Sequence, residues 1–383
     1  MTFGAASILA EKNINRQRYN LVFLLLVITM FGIGFTTLYS ASIHYGSLLF
    51  GEPLYFVLNQ AKHFVLSLIV MSLFAFVDFR IIRKLLPYAM LLSLILCLMT
   101  FIPFFSKESH GAVRWVNIAG KLMFQPSEFV KLGMIICLAT VIEKNSAKLN
   151  EPKTLIKVLI FAFIPVGLVL MQPDFGTAFV FILVIGSMLF VAGISLRLVV
   201  YTLLAAVASL PAFYFSLSPY QKNRILNFLH PERDITNTGY QAVQGKIAAG
   251  SGKFIGRGLF KGPQNQFNFI PEKQTDYIFP VFVEEMGFVG GTILIGLYTI
   301  MLYRFVKLSK KTANKFNQML IIGICAMFLA HIFENIGMTI GLMPITGIPL
   351  PFLSYGGTFQ LVNLIAMGIV LSISCEKTPL DFM

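Results

Sequence analysis

Residues 21–41 read LVFLLLVITMFGIGFTTLYSA and contain no charged side chain. An α-helix needs about 20 mainly apolar residues to cross the hydrocarbon core of a bilayer, so this stretch is long enough to span a membrane. The twenty residues before it include Glu11, Lys12 and Arg16 and lack the apolar core of a signal peptide. We therefore expect residues 21–41 to be an uncleaved first membrane span.

The composition of the whole chain agrees with this first stretch. Hydrophobic residues make up 56% of the 383 residues and charged residues only 12%, against about 25% charged residues in an ordinary soluble domain. Because so few charges cannot cover a water-facing surface, most of the surface must face lipid. Soluble enzymes, disordered proteins and nucleic-acid-binding domains are therefore excluded. The net charge of +13 needs another explanation than nucleic acid.

Segments that could cross a bilayer recur along the chain, although several are short or carry charges. The predicted spans are 21–41, 62–78, 86–104, 127–142, 154–171, 175–192, 197–217, 277–303, 317–341 and 355–374. The predicted fold is therefore an all-α integral membrane protein with about ten transmembrane helices. We expect residues 1–383 to form a single polytopic membrane domain.

Basic residues predict the orientation of these spans. Loops on the cytoplasmic side of a membrane carry an excess of Lys and Arg. If the N-terminus is inside, the inner loops and termini hold more than half of the 30 basic residues. The short outer connections at 42–60 and 342–354 then hold none. We therefore expect both termini to be cytoplasmic.

A long outer loop at 218–276 accounts for much of the remaining charge. Its charged residues give it a net charge of +4; they are Lys222, Arg224, Arg233, Lys246, Lys253, Arg257, Lys261 and Lys273 against Glu232, Asp234, Glu272 and Asp276. A basic surface beside lipid suits a phosphate or pyrophosphate headgroup. The alternative is a solvated loop that happens to be basic.

The centre of this loop is rich in glycine. Glycines recur through residues 239–262, between basic side chains. Glycine lets backbone amides approach a phosphate closely. The spacing matches neither a P-loop nor GxGxxG. We expect an extracytoplasmic loop that is partly re-entrant or membrane-associated, and a flexible loop is the alternative.

Ionisable residues inside predicted spans are costly and are usually functional or paired. Glu128 and Lys131 open the fourth span at i, i+3 spacing, which favours a structural ion pair for Glu128. Lys131 lies a full turn into the membrane, where a functional role is harder to dismiss. Asp174 lies in a tight turn between two spans, and turn chemistry could explain it. Glu334 belongs to a polar stripe that could instead join helices.

Asp276 is placed where the basic loop re-enters the membrane. An aspartate at that point could simply cap the helix that follows. The functional alternative is a carboxylate at the lip of an outward-facing cavity. Residues 342–354 contain three prolines and precede Gly356 and Gly357, so we expect irregular backbone there, lining a cavity or buried in protein.

Several stretches together resemble a known family. They are AVRWV (112–116), FQPSEFVK (124–131), QPDFG (172–176), GYQ (239–241), GSG (250–252), PEKQTDYIF (271–279), EEMG (284–287), NIGM (335–338) and PITGIPLPFLSYGG (344–357). They cover nearly the whole chain in the order of the SEDS family (shape, elongation, division and sporulation) of bacterial cell-wall membrane proteins. GLFKGPQ (258–264) and ITGIP (345–349) are more similar to the RodA branch, which serves cell elongation, than to the division branch.

The resemblance implies a ten-helix peptidoglycan glycosyltransferase of the bacterial cytoplasmic membrane. Such an enzyme uses lipid II on the extracytoplasmic side and works with a class B penicillin-binding protein and other membrane proteins of the elongation complex. The family's essential acid lies in a Thr-Asp-Phe motif, which here is Thr275-Asp276-Tyr277. The family usually has His at the position of Gln274 and tends to have Ser at that of Thr358.

The chemistry of lipid II fits these residues. Pyrophosphate leaves as a stable anion, so one carboxylate base and cations to stabilise the departing charge would suffice. We assign the base to Asp276 and expect Arg114 and Lys131 to contact the pyrophosphate. Glu128, Asp174, Glu334 and Ser354 are expected to shape the cavity. The four cysteines and five histidines lack metal-binding spacing, so no metal site is predicted from them and a divalent cation requirement stays open.

Two alternatives belong to other functional classes. A flippase for lipid-linked precursors would also have intramembrane charges and broken outer segments. It would need a polar path to the cytoplasmic side, whereas most candidate residues lie at the outer end. A non-catalytic scaffold of the elongation complex would tolerate the loss of Asp276.

Overall fold

The computed structural model describes residues 3–76, 79–102, 106–109, 112–118, 122–216, 219–234 and 238–375. Small parts of the predicted spans, at 77–78, 103–104 and 217, lie outside these described residues, as do 218 and 235–237 of the predicted loop.

Long helices dominate the structure. In chain order the helices are α1 (Phe3–Phe50), α2 (Tyr55–Phe76), α3 (Phe79–Met99), α4 (Pro126–Lys144), α5 (Pro152–Met171), α6 (Phe175–Ala192), α7 (Leu196–Ser216), α8 (Pro219–Leu229), α9 (Thr238–Ser251), α10 (Pro263–Gln266), α11 (Ile278–Lys311), α12 (Lys315–Thr339) and α13 (Gly357–Cys375). Each predicted span overlaps one of α1 to α7 or α11 to α13. Within the described residues, α1 from Leu21, α2, α5, α6, α11, α12 and α13 are long and apolar enough to cross a membrane. The all-α membrane fold is therefore confirmed, while the count of about ten spans stays a prediction.

The other three long helices, α3, α4 and α7, are not among these seven candidate spans, and each has a physical reason. In the described part of the chain, α3 and α7 offer shorter apolar stretches, Met90–Met99 and Leu196–Ser209. Helix α4 carries the charged residues Glu128 and Lys131, and both are buried. Because the first half of α4 is enclosed by protein, its sequence does not need to be apolar enough for lipid.

A small antiparallel sheet lies between α3 and α4 and was not predicted. Its strands are β1 (Ser106–Ser109), β2 (Ala112–Ile118) and β3 (Leu122–Phe124), in the order β1-β2-β3. Val116 of β2 pairs with Phe124 of β3 and is fully buried. The sheet positions Arg114 on β2, just before α4 begins.

Helix α12 is the centre of the helical bundle. It packs against α4, α6 and α11, and most of its side chains are buried. Its polar residues His331, Glu334 and Asn335 are fully buried as well. The polar stripe predicted on this helix therefore faces protein rather than lipid, as expected for costly polar groups in a membrane.

The basic segment between α7 and α11 is more helical than its glycines suggested. It contains α8, a short 3-10 helix (Pro231–Arg233), α9 and the single turn α10. Helix α9 includes Gly239, Gly245 and Gly250 of the glycine-rich centre. Packing against α11 and the end of α12 outweighs the low helix propensity of glycine there.

Helix α11 is interrupted at Gly287, whose backbone angles are φ 69° and ψ −170°. A left-handed φ of this kind favours glycine. The loop after α9 satisfies the backbone groups around this break. Arg257 and Gly258 donate to the carbonyls of Glu284 (2.9 Å) and Glu285 (3.0 Å), while the amide of Phe288 donates to the loop at 2.9 Å. These bonds replace helical ones that the break removes, as an apolar environment requires.

The segment between α12 and α13 confirms the prediction made from its prolines. Residues 341–356 form turns and irregular backbone rather than a helix. Leu350, Pro351, Phe352, Leu353 and Ser354 are buried. We call residues 344–356 the proline segment.

Candidate active site

Asp276 lies in the turn that leads into α11 and does not cap that helix. The N-cap is Tyr277, and no side chain makes a capping bond there. The helix-capping alternative for Asp276 is therefore wrong. Its partly buried carboxylate is not used to begin the helix and is available for another task.

The backbone of Asp276 is fixed by Asn335 of α12. The Nδ2 atom of Asn335 donates to the carbonyl oxygen of Asp276 at 2.8 Å and to that of Ile348 at 2.7 Å. Asn335 is fully buried. Both amide hydrogens are thus used to hold the turn of Asp276 against the proline segment.

The two residues before Asp276 are fixed by the proline segment itself. The hydroxyl of Ser354 donates to the carbonyl of Thr275 at 2.6 Å and accepts from the amide of Leu350 at 2.8 Å. The amide of Tyr355 donates to the carbonyl of Gln274 at 2.9 Å. Three consecutive carbonyls, of residues 274 to 276, are therefore held from outside the turn. We call Asn335, Ser354 and Tyr355 the cradle of Asp276.

Helix α2 supports this cradle from a third direction. Gln60 is buried and donates through Nε2 to the carbonyl of Ser354 at 3.2 Å. Its Oε1 accepts from the amide of Gly356 at 3.2 Å. The position of Ser354 is therefore fixed by its own backbone as well as by its hydroxyl.

The carboxylate of Asp276 lies against Gly347 in the proline segment. Gly347 has φ +73°, and a Cβ atom there would lie 3.2 Å from Oδ2 of Asp276. A larger residue would be strained at this φ and would crowd the carboxylate. The glycine therefore leaves space beside the acid.

The pKa of Asp276 is raised from 3.8 to about 7, and burial is the largest cause of this rise. The carboxylate of Glu272 also contributes to this rise, and that of Asp174 does so to a smaller extent. The guanidinium groups of Arg114 and Arg224 lower it. A pKa near neutral pH is the range in which a carboxylate works best as a general base.

Arg114 is held beside this acid by the turn between α5 and α6. Its Nη1 lies 3.6 Å from Oδ1 of Asp174, and its Nη2 donates to the carbonyl of Pro173 at 3.3 Å. Asp174 also caps α6, because it accepts from the amide (3.2 Å) and the hydroxyl (2.9 Å) of Thr177. Turn and capping chemistry thus explains the burial of Asp174, which in addition orients Arg114.

Lys131 is enclosed between α4, α12 and α13. Its Nζ donates to Oε1 of Glu128 at 2.8 Å and to Nε2 of His331 at 2.8 Å. It also lies 5.8 Å from the ring centroid of Phe359. The ion pair predicted for Glu128 is confirmed. The ammonium group has three N–H donors, and these partners use two of them.

Glu334 connects the two groups of predicted site residues. It is fully buried on α12, one turn after His331, and its carboxyl lies within electrostatic range of Asp174 and Lys131. The structure therefore places Asp276, Arg114, Asp174 and Ser354 around one turn. Glu128, Lys131 and Glu334 form an adjoining group buried inside the bundle.

A buried lysine fixes the chain that leads to Asp276. The Nζ atom of Lys273 donates to the carbonyl (2.6 Å) and Oδ1 (3.0 Å) of Asn265 and to Oδ1 of Asn268 (2.8 Å). Burial lowers the pKa of Lys273 to about 8, although Glu284 and Glu285 oppose this shift. Lys273 thus supports the turn of Asp276 from the loop side.

Arg224 of α8 is a site residue that the sequence did not single out. Its Nη1 donates to the carbonyls of Ile345 at 3.1 Å and Thr346 at 3.4 Å, which immediately precede Gly347. In the sequence it is one of eight basic residues in the loop, and no motif distinguishes it from the others.

The chain matches the family model FtsW/RodA/SpoVE, described as cell cycle protein, over residues 19–379. It is 33% identical over 367 residues to the probable peptidoglycan glycosyltransferase FtsW of Trichlorobacter lovleyi, with 95% of each chain covered. It is also 33% identical over 332 residues to the peptidoglycan glycosyltransferase MrdB of Escherichia coli K12, covering 86% of this chain and 89% of MrdB. Identity alone therefore does not separate the division branch from MrdB.

Two solved structures share the fold. The Thermus thermophilus rod shape determining protein RodA superposes with a TM-score of 0.67 and 25% identity, covering 92% of this chain and 95% of RodA. A chain of a peptidoglycan synthase complex that coordinates polymerization and crosslinking superposes with a TM-score of 0.77 and 28% identity. That match covers 92% of this chain and 96% of the other.

Proposed function

The chain belongs to the FtsW/RodA/SpoVE family of multi-pass membrane proteins and is a peptidoglycan glycosyltransferase, and we propose that it polymerises lipid II into β-1,4-linked glycan strands during cell elongation and shape maintenance. The position of Asp276 carries this proposal. Its backbone carbonyl accepts a hydrogen bond from Asn335, and the carbonyl of its neighbour Thr275 accepts one from Ser354. The pKa of its carboxyl group is about 7. An acid fixed in this way suits proton transfer at neutral pH.

Asp276 is the general base of the proposed reaction. Its carboxylate takes the proton from the acceptor hydroxyl, whose oxygen then bonds to the anomeric carbon of the donor sugar. The bond from that carbon to the pyrophosphate oxygen breaks, and undecaprenyl pyrophosphate leaves with the bonding electron pair. Because this leaving group is a stable anion, no second carboxylic acid has to protonate it, unlike in glycosidases. Direct displacement inverts the α-linked donor to a β linkage.

Cationic side chains are proposed to hold the pyrophosphate. Arg114 suits this role best, because its side chain is 14% exposed and its guanidinium acts on the pKa of Asp276. Lys131 is the second candidate, and two of its three N–H donors are already used by Glu128 and His331. Glu128, Asp174, Glu334 and Ser354 are proposed to shape the cavity through the contacts described above. Cations at a departing charge stabilise the transition state more than the ground state.

The surroundings of the enzyme follow from the same proposal. We place it in the bacterial cytoplasmic membrane with both termini in the cytoplasm and the active site facing the extracytoplasmic side, since most basic residues outside the 218–276 loop then lie inside. A class B penicillin-binding protein is the proposed partner, together with other membrane proteins of the elongation complex. The similarity to a chain of a complex for polymerization and crosslinking supports such a partner.

The deciding experiment is polymerisation of labelled lipid II by the purified protein together with a class B penicillin-binding protein that lacks its own glycosyltransferase. Asp276→Ala and Asp276→Asn are expected to lose polymerisation. Glu52→Gln, which changes an exposed acid in the connection between α1 and α2, is the matched control and should retain it. Polymerisation by Asp276→Ala at the wild-type rate would show that the base has been assigned wrongly.

The flippase and scaffold alternatives predict other results. A flippase should move lipid II from one leaflet to the other in liposomes that contain this protein alone, without forming glycan. A scaffold should support the complex equally well with Asp276 or alanine at that position. Glycan formed by the wild type but not by Asp276→Asn would contradict both alternatives.

A further inference from the structure

The loop after α9 exposes a small apolar surface. Phe254 and Ile255, which we call the apolar tip, are 68% and 83% exposed. The ring of Phe254 lies 5.6 Å from that of Phe288 on α11, which is itself 61% exposed. A contiguous exposed apolar surface on a folded protein marks a site of interaction with a protein, a ligand or a membrane.

Two glycines bring this loop against α11 and so direct the apolar tip outward. A Cβ atom at Gly252 would lie 2.1 Å from the carbonyl oxygen of Val283. One at Gly256, where φ is +92°, would lie 2.1 Å from the carbonyl oxygen of Glu285. Only glycine permits such close contacts. The tip is therefore exposed because the backbone is held in this position.

The contact with α11 places the apolar tip at the surface of the membrane. The amide of Phe288 donates to the carbonyl of Lys253 at 2.9 Å, so both residues lie at one level. From Phe288 to Lys307, near the other end of α11, the helix rises about 28 Å, and residues 288–303 carry no charge. Because the hydrocarbon core is about 30 Å thick, Phe288 and the tip lie near its boundary.

Basic side chains surround the apolar tip. Lys253, Arg257 and Lys261 are exposed, and residues 251–262 contain no acid. Glu284 of α11 contacts this segment but is fully buried. Its carboxylate accepts from two backbone amides of the loop at 2.8 Å and 3.1 Å. The exposed surface of the segment is therefore purely cationic and apolar.

Lys253 and Arg257 share a depression with the apolar tip. It has a volume of about 270 Å³, is open to the surroundings and is lined by residues 251–257. Two cations and apolar walls at the edge of the hydrocarbon core suit a phosphate group that is attached to apolar chains. Phospholipids combine these two features, and a cationic surface attracts those with net negative charge most strongly.

We propose that this loop is a binding site for an anionic phospholipid of the surrounding bilayer, such as phosphatidylglycerol. The apolar tip inserts among the acyl chains, and Lys253 and Arg257 bind the phosphate headgroup. Three observations carry the proposal: the level of the tip on α11, the exposure of its side chains, and the two cations in one depression. None of them depends on the reaction proposed for Asp276.

The first test measures insertion of the apolar tip. Trp115 is the only tryptophan of the chain, so Phe254→Trp in a Trp115→Phe background places a single fluorophore at the tip. In vesicles of phosphatidylcholine brominated on its acyl chains, we expect quenching within twofold of that of Phe288→Trp in the same background. Quenching at position 288 but not at 254 would overturn the proposal, and a protein partner would then be the candidate occupant.

The second test measures the preference for an anionic lipid. Brominated phosphatidylglycerol or brominated phosphatidylcholine is added as a minor component to vesicles of unbrominated phosphatidylcholine. Each basic side chain near the surface favours an anionic lipid about fivefold, so Phe254→Trp should be quenched at least twofold more by brominated phosphatidylglycerol. Adding Lys253→Gln and Arg257→Gln should remove this preference. Equal quenching by both lipids without these substitutions would overturn the proposal.

The matched control is Lys62→Gln, which removes an exposed lysine of α2 and should keep the preference. Loss of the preference in Lys62→Gln as well would show that only the total charge of the protein attracts the lipid, and would overturn a site at the loop.

Thermal unfolding in detergent tests the same site without a fluorophore. A ligand that binds only the folded state raises the Tm. Added phosphatidylglycerol should therefore raise the Tm of the wild type and of Lys62→Gln more than that of the double variant Lys253→Gln/Arg257→Gln. An equal rise in all three proteins would contradict the proposal.

Failure of this inference is distinguishable from failure of the proposed function, because neither quenching nor unfolding needs turnover. A preference for phosphatidylglycerol in a protein that forms no glycan supports the lipid site and contradicts only the glycosyltransferase mechanism. Glycan formed by a protein that shows no such preference contradicts only the lipid site.

Discussion

The side-chain amide of Asn335 donates to the backbone carbonyl of Asp276 at 2.8 Å, across 59 residues of sequence. Through this bond the most buried helix of the bundle fixes the residue that carries the proposed base. The amide uses its other hydrogen for Ile348, so the turn and the proline segment share one anchor.

Replacement of Asn335 by Asp keeps the size of the side chain and removes the donor. We expect kcat to fall by up to about 10²-fold, because displacements near 1 Å can cost that much, while the KM for lipid II stays within threefold. Asn335→Ala should lose as much kcat. Lipid II polymerisation kinetics check this. A mainly raised KM, with kcat unchanged, would contradict a positioning role.

The raised pKa of Asp276 predicts the pH dependence of the reaction. The base must be deprotonated, so kcat/KM should fall as pH drops through about 7. Arg114→Gln removes a cation that lowers this pKa, so the acidic limb should move to higher pH, whatever happens to the maximal rate. Profiles between pH 5.5 and 9 in wild type and Arg114→Gln check the shift. An unmoved limb would argue against Asp276 as the titrating group.

The same pKa makes a prediction about stability. Because the folded-state pKa of about 7 lies above the ordinary 3.8, the folded protein binds more protons between these values, and its stability falls as pH rises through this window. Asp276→Asn does not ionise. It should therefore gain thermal stability over wild type as pH rises, with the difference levelling off above pH 7. Thermal unfolding in detergent at pH 5 and 8 measures this, with Glu52→Gln as a control that should show no such gain.

Ser354 is predicted to act through its hydroxyl. Ser354→Ala leaves the Thr275 carbonyl and the Leu350 amide without their partner, which costs about 1–3 kcal/mol for each buried group. We expect lower thermal stability and a kcat reduced roughly tenfold, as expected for about 1.4 kcal/mol. Ser354→Thr keeps the hydroxyl and should recover most of the kcat. Equal losses in both variants would point to steric packing instead of hydrogen bonding.

A double-mutant cycle can measure how much the ion pair between Glu128 and Lys131 contributes to stability, independently of substrate binding. Removing one partner of a buried ion pair costs about 3–5 kcal/mol, so Lys131→Met and Glu128→Gln should each destabilise strongly. The double variant should lose much less than the sum of the two, because no unpaired charge remains. Thermal unfolding of the four proteins gives the coupling. Additive losses would mean that the bond between them contributes little.

The features that depend on local sequence were predictable. The long helices were predicted from apolar runs, since an apolar run of this length can cross a bilayer as a helix. The spacing of Glu128 and Lys131 indicated their ion pair because residues three apart share a helix face. The prolines between 344 and 351 excluded a helix there because proline lacks an amide hydrogen.

The features that depend on distant contacts were not predictable from one sequence. Strand β3 has only three residues, so its structure depends on pairing with β2. Helix α9 forms across three glycines because it packs on α11 and α12. The bond from Asn335 to Asp276 joins two residues that no periodicity connects. Arg224 gains its position only once α8 lies beside the proline segment.

The break at Gly287 divides α11 into two rods. The rod from Ile278 to Met286 begins two residues after Asp276, and its carbonyls at Glu284 and Glu285 accept hydrogen bonds from the loop after α9. The second rod begins with Phe288 and Val289, whose amides donate to carbonyls of the same loop at 2.9 Å and 3.1 Å. The loop after α9 therefore holds both rods at the joint, so one element fixes the membrane-crossing part of α11 relative to the part that follows the acid.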